Sequence, residues 1–375
     1  MDALGWSLQI CVKVWCYVYV LFTTLYAFFY SSFTLHIIAI GLFLCALAYY
    51  KLPRPENSAL LRILGPDPRN FDGTPSKSKK HIGIIAHRAG GVDEMPENTI
   101  GALREAKEKG VKCVEFDVSF SSDGVPFVFH DSTVDRLAIN SNGYFSSKSS
   151  EEIKLIGVKN KLLHSEEDAH VENIPTLEEF VSECLKLELK MIMDVKDFYS
   201  VSSKSKKSCP DIVLDIFQKY PELYNCCLVS SFNPYIIYCV RFKDPRIVCG
   251  MAWRPYIISM ETFSGSFIDA RPRYDSYLYH YLSVIGDVVL KWAYHNFLWH
   301  FLGISTVLVH KGTVTSEYIQ IWRERGIRVL AWTVNDTLEK IFCTKSLRIT
   351  PISDAIDPIS DDRFLTSICE EEDED

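Results

Sequence analysis

Residues 111–131 read VKCVEFDVSFSSDGVPFVFHD. Val111–Phe120 and Pro126–His130 are rich in Val and Phe, and each has the length of a strand. Ser122-Asp123-Gly124 between them is a turn sequence. The step from Asp117 to Pro126 is too short for the helical crossover that parallel strands need, so the spacing predicts an antiparallel hairpin. A tight turn centred on Asp123-Gly124 would set Asp117 opposite His130. Glu115 and Asp117 lie two apart, so both side chains leave the strand on one face.

Outward from this hairpin the chain alternates. Upstream, His81–Arg88 (HIGIIAHR) is a short apolar run with a polar end, consistent with a buried strand. Asn98 then caps a helix whose Ile100, Leu103 and Ala106 share one face, and Gly110 stops it. Downstream strands are expected at Met191–Val195, Cys227–Ser231, Ile247–Ala252, Thr306–His310 and Arg328–Val334. Helices are expected at Thr176–Leu187, Pro210–Tyr220 and Thr315–Gly326. This order and count predict an α/β fold, a TIM-type (β/α)8 barrel over 81–360, irregular near strands 2–3 where the hairpin interrupts it. A helical insertion is expected at about 271–305, rich in Tyr277, Tyr281, Trp292, Tyr294, Phe297, Trp299 and Phe301. His295, Asn296 and His300 are costly at mid-bilayer, so this stretch is expected to pack on the domain or rest in a membrane interface, not to span.

Composition excludes several classes. The net charge of −8 disfavours a nucleic-acid binder, which shows a basic face. Hydrophobic residues at 47% and charged residues at 23% exclude a disordered chain. Twelve cysteines without a CxxC pair do not make a disulfide scaffold or a zinc ribbon. Residues 14–50 hold no Asp, Glu, Lys or Arg. As one helix they would run about 55 Å, against a bilayer core of roughly 30 Å, so residues 1–50 are expected to form a two-helix transmembrane anchor, Val14–Tyr30 and Leu35–Tyr50. Lys51, Arg54, Arg62 and Arg69 follow this block and would keep that flank cytosolic. Residues 51–80, rich in Pro, are expected to be a linker, and the acidic end of 361–375 a solvated tail.

The chemistry-bearing residues sit at the predicted strand ends, which in α/β barrels form the active-site face. Glu115, Asp117 and Asp194 offer three hard oxygen ligands and suit Mg2+ or Ca2+. Arg88 and Lys196 suit a phosphate, Arg88 through its two-pronged guanidinium. His87 and His130 are matched to proton transfer near neutral pH. Each pattern alone is ordinary: a strand-end histidine is usually structural, E-x-D usually solvated and D-x-K usually an ion pair. Together they spell metal-assisted phosphoryl chemistry.

The order His87-Arg88, Pro96-Glu97-Asn98-Thr99, Glu115-Phe116-Asp117, Asp123-Gly124, His130-Asp131 and Asp135-Arg136 resembles the glycerophosphodiester phosphodiesterase family. Asp194-Val195-Lys196, Ser231-Phe232 and Trp332-Thr333-Val334-Asn335 continue the likeness, which covers about 81–358. Pro272-Arg273-Tyr274-Asp275, His295-Asn296-Phe297-Leu298-Trp299 and Leu302-Gly303-Ile304-Ser305 look like a membrane-bound animal branch. The resemblance implies hydrolysis of glycerophosphodiesters to glycerol 3-phosphate and an alcohol, with His87 and His130 as the acid/base pair. It implies Mg2+ on Glu115, Asp117 and Asp194, phosphate on Arg88 and Lys196, and Trp332 against the glycerol. It also implies attack on phosphorus by the substrate's own glycerol hydroxyl, and a plasma-membrane or endomembrane location with the catalytic domain outside or in a lumen. That orientation conflicts with the Lys/Arg count.

Glycerophosphoinositol is the substrate class implied. Glycerophospho-N-acylethanolamines and lysophospholipids, cleaved as by a lysophospholipase D, are alternatives. A non-catalytic membrane scaffold is a third reading. Two departures stand out. Ala89 replaces the first Gly of the usual His-Arg-Gly-Gly, a cost if that position needs φ > 0, and the loop after Arg136 lacks the usual Thr and Gly. Asn335-Asp336-Thr337 is also a glycosylation sequon, at a strand end beside the site.

Overall fold

The computed structural model describes residues 3–31, 33–68, 83–91, 95–160, 170–196, 208–262 and 270–357. Two compact units divide at Lys51. The first holds two apolar helices, Ala3–Ser31 and Phe33–Tyr50. No single described helix is long and apolar enough to cross a membrane; Trp15–Tyr30 and Leu35–Tyr50 reach that standard only as a pair, bent by 74°.

The second unit is a closed barrel of eight parallel strands. In spatial order they are Ile85–Ala86, Cys113–Phe120, Lys190–Val195, Cys227–Ser231, Cys249–Trp253, Thr306–His310, Arg328–Trp332 and Thr350–Ser353. Ala86 closes the ring by pairing with both Ser353 and Val114. Alternation along each strand builds two cores. Val114, Phe116, Val118, Met191 and Met193 pack outward with the helices. Ile85, Cys113, Ile192, Leu228, Leu308, Leu330 and Ile352 fill the lower interior. Two-residue steps from these interior positions lead up each strand to Glu115 and Asp117, to Asp194 and Lys196, to Ser230 and Phe232, and to Trp332. One interior column is therefore apolar at the bottom and chemical at the top.

The hairpin is present, but its register differs from the expected one by a residue. Ser121 N–H donates to the Val125 carbonyl at 3.0 Å, so the loop has three residues, Ser122-Asp123-Gly124, with Gly124 at φ 83°. Such a loop, a turn closed by a left-handed glycine, sets Val118 opposite Val128 and Asp117 opposite Phe129. His130 stands one residue beyond.

The expected linker is partly a structural element. Helix Asn57–Leu64 buries Ala59, Leu60, Ile63 and Leu64 in the lower interior cluster and plugs the barrel floor. Arg328 donates to the Leu64 and Gly65 carbonyls at 3.2 and 2.8 Å, and Arg241 donates to the Pro53 carbonyl. Four apolar residues on one face of eight were masked by the flanking prolines. Residues 69–80 of that stretch, and the acidic tail 361–375, lie outside the described residues. The insertion is helical, Tyr277–Ala293 followed by a wide turn Tyr294–Leu298 and a last helical turn Trp299–Phe301. Tyr294 anchors it, buried, with its hydroxyl donating to the Met251 carbonyl at 3.1 Å. The last barrel strand, Thr350–Ser353, was not anticipated: Pro351 disguises a four-residue strand.

Candidate active site

All eight residues singled out from the sequence line one pocket at the C-terminal end of the barrel: His87, Arg88, Glu115, Asp117, His130, Asp194, Lys196 and Trp332. Three acids come from two neighbouring strands. Asp117 and Asp194 are direct register partners, and Asp194 pairs in turn with Ser230. Glu115, Asp117 and Asp194 are all buried and bring ligand oxygens within 4.8 Å of one another. Ser230 Oγ donates to Asp194 at 2.8 Å, fixing its carboxylate. Lys196 Nζ reaches Asp117 and Asp194 at 2.7 and 2.6 Å.

These charges do not balance comfortably. Burial and the Asp117 charge push Glu115 up to about 7. Burial opposes ionisation of Asp117 too, but Lys196, His130 and Arg88 hold its carboxyl well below the usual range. A cluster in which one carboxylate is this reluctant to ionise fits a divalent cation, and its all-oxygen donor set suits a hard one.

His87 and Arg88 follow the two-residue strand Ile85–Ala86 in a single tight turn. Arg88 sits at φ 52° and Ala89 at φ 63°, followed by Gly90 and Gly91 at φ 106°. The Ala89 position does require φ > 0, as the departure from Gly suggested. The strained turn points the Arg88 N–H at Glu115 Oε2, 2.9 Å away, and its guanidinium at Glu97, 2.9 Å, with Asp117 at 3.7 Å. Arg88 Nε is buried and makes no hydrogen bond among the described residues, an orphan donor suited to a phosphate oxygen.

Both histidines are braced in the same way. His87 Nδ1 meets Asp354 at 2.5 Å, and His130 Nδ1 meets Asp131 at 2.7 Å. Each Nε2 is left for other partners; that of His87 lies 3.9 Å from Glu115. Asp354 accepts from Asn335 Nδ2 at 2.7 Å, and its own N–H donates to Asn335 Oδ1 at 2.9 Å. Asp131 is tied to Arg136 at 2.6 Å, and Arg136 to Glu97. Burial draws His87 down, but its bond to Asp354 and the Glu115 charge outweigh this, and it ends above the ordinary histidine value. Burial lowers His130, with Arg88 and Lys196 adding to the effect and Asp117 opposing it, and it ends below. The two imidazoles are thus split toward donor and acceptor.

Asp354 and Ser230 were not anticipated from sequence. Glu97, Asp131 and Arg136 were noted only as motif letters, and Asn98 as the expected helix cap; the cap is Thr99, whose hydroxyl accepts from the Ala102 N–H at 3.2 Å. Asn98, at φ 60°, donates from its amide to Asp117 at 3.0 Å. The signal for Asp354 was present, an acid at the end of an apolar run like the others, but the run was too short to read. Trp332 packs edge-on against Phe232, 5.7 Å between ring centres, and Lys196 lies over the Phe232 ring.

A barrel with this ring of acids, bases and cations has known counterparts. Residues 87–357 match the model of the glycerophosphoryl diester phosphodiesterase family. The chain belongs to this family. It is 37% identical over 305 residues to human glycerophosphodiester phosphodiesterase 1, covering 79% of this chain and 86% of that one. The mouse protein of that name is 36% identical over 295 residues, covering 76% and 84%. Among solved structures, a phosphodiesterase from Oleispira antarctica in complex with the product sn-glycerol-3-phosphate superposes with TM-score 0.54 at 20% identity, covering 72% of this chain and 92% of that one. A glycerophosphodiester phosphodiesterase from Agrobacterium tumefaciens gives 0.52 at 16%, covering 74% and 98%. Both likenesses support the fold. As a glycerophosphodiester phosphodiesterase the chain is an enzyme, and the scaffold reading is set aside.

Proposed function

We propose that this phosphodiesterase is a membrane-anchored, divalent-cation-dependent hydrolase of glycerophosphoinositol-like diesters, releasing glycerol 3-phosphate and the alcohol. The reading is carried by the convergence of two braced histidines, three carboxylates, Arg88 and Lys196 in one pocket. Glu115, Asp117 and Asp194 would hold Mg2+, with Ca2+ the second candidate. A cation bound there supplies positive charge against the phosphoryl oxygens as they gain charge. Arg88 and Lys196 bind the non-bridging oxygens and orient the phosphorus. His130, kept neutral, accepts the proton of the attacking glycerol hydroxyl; His87, kept protonated, gives one to the leaving alcohol oxygen, and water then opens the resulting cyclic phosphate to glycerol 3-phosphate with the two proton transfers reversed. Trp332 and Phe232 offer an apolar wall for the glycerol carbons. The uncharged block 14–50 supports a membrane anchor, and the plasma membrane or an endomembrane as location.

The test is turnover of glycerophosphoinositol by the purified full chain. Glycerol 3-phosphate and inositol are expected as products, with loss of activity in EDTA and recovery with Mg2+. Release of inositol phosphate would overturn the bond assignment, and turnover indifferent to EDTA would overturn the metal role. A lipid-borne substrate, such as a lysophospholipid, is favoured as a second class by the apolar surface beside the pocket.

A further inference from the structure

The insertion helix Tyr277–Ala293 is inside out. An ordinary surface helix turns its apolar stripe to the core. Here the one buried residue is Ser283, and Asp287 faces inward, accepting from the Ile258 and Ser259 N–H groups at 2.8 and 3.0 Å. Ten of the 17 residues are large, apolar and exposed, among them Tyr277 at 94%, Val288 at 65% and Trp292 at 62%. Soluble monomers rarely leave so continuous an apolar surface in water.

We propose that this helix lies in the surface of a lipid bilayer, outward face down, beside the catalytic pocket. Three observations favour lipid over a protein partner. The exposed surface wraps well beyond the narrow seam a coiled coil needs, since Tyr279 and Tyr281 are exposed as well as Leu278, Leu282 and Val289. Tyrosines cluster at one end and Trp292 stands near the other, rings suited to headgroup depth. The insertion ends at Phe301, whose carbonyl accepts from the Leu52 N–H at 2.9 Å, and only Lys51 separates Leu52 in the chain from the uncharged block 14–50.

Docking there has a use. Between the helix and the barrel rim is a cavity of about 650 Å3, lined by Val284, Val288, Trp253, Tyr256, Tyr318 and His310. His310 packs edge-on against Trp332 of the catalytic pocket, 5.4 Å between ring centres. An acyl chain leaving the bilayer therefore has a berth, mostly apolar with Arg254 and Lys291 also in its lining, one side chain from the catalytic pocket. This last step rests on the phosphodiesterase reading; the docking itself does not.

The experiment uses the full chain in phosphatidylcholine nanodiscs, with plain or brominated acyl chains. The difference in emission between the native chain and Trp292→Phe isolates Trp292. At least a twofold loss of that difference in brominated lipid is expected. No loss overturns the proposal, as does shielding of Trp292 by a second copy, seen as a dimer by mass photometry. A Leu282→Glu/Val289→Glu chain, altered only at exposed positions, should keep its kcat on glycerophosphoinositol. It should lose at least tenfold in kcat/KM on lysophosphatidylcholine in vesicles. Equal loss on both substrates overturns the route. If the native chain turns over neither substrate, the functional reading fails, and the quenching arm still decides the docking.

Discussion

The roles proposed for His87 and His130 need opposite charge states, and different neighbours set them: Asp354 and Glu115 raise the first, while burial with Arg88 and Lys196 lowers the second. The Asp354 contact raises His87, so the fraction of His87 able to donate is lost as pH rises through its elevated value. Asp354→Asn should lower that value and move the alkaline limb of kcat against pH to lower pH, with kcat down about 10–100-fold. An unmoved limb would make Asp354 merely structural. His87→Ala or His130→Ala should each cost at least about a hundredfold in kcat. Glu115, held at about 7, binds a proton in competition with a metal. Apparent Mg2+ affinity should therefore fall as pH drops below 7, by up to about tenfold per unit, in titrations of activity against Mg2+. Ala89 bears a different cost. A left-handed alanine is strained by about 1–2 kcal/mol, but its methyl is fully buried and returns roughly 0.8 kcal/mol. Ala89→Gly should therefore change stability by less than about 1 kcal/mol, while the β-branched Ala89→Val should cost more.

At the scale of elements, strands that end in chemistry were legible because two signals coincide there, an apolar run and a polar stop. Residues 85–88, 113–117 and 190–196 show both. Thr350–Ser353 is as much a barrel strand, yet four residues with a central proline carry almost no periodicity. The hairpin was visible, its register was not: a two-residue and a three-residue loop share the same Asp-Gly and both need φ > 0 at Gly124, and the bond from Ser121 N–H to the Val125 carbonyl tells them apart. Helix Asn57–Leu64 was hidden for another reason. It is too short to show helical period and earns its stability from the barrel floor it covers. Ile63 is 1% exposed there, so Ile63→Ala should cost about 2–4 kcal/mol in urea unfolding.

The whole molecule couples the site to its stability. Glu115 has a folded value near 7 against an unfolded one near 4.5. The stability this group contributes is present below 4.5 and lost as pH rises through 7. His87, also raised, loses its contribution in the same direction, while the lowered His130 works against both. In EDTA the native chain should thus lose more melting temperature between pH 5 and pH 8 than Glu115→Gln, and Mg2+ should restore the native chain most at the alkaline end. Asn335 gives the fold a temporal dimension. Its side-chain nitrogen, the atom a glycan would occupy, is already engaged by Asp354, and its oxygen by the Asp354 amide. In a chain entering a secretory lumen, folding and modification would compete for this one atom. A sugar found on Asn335 by mass spectrometry would then be a clock mark, identifying molecules overtaken by the glycosylation machinery before the last barrel strand closed.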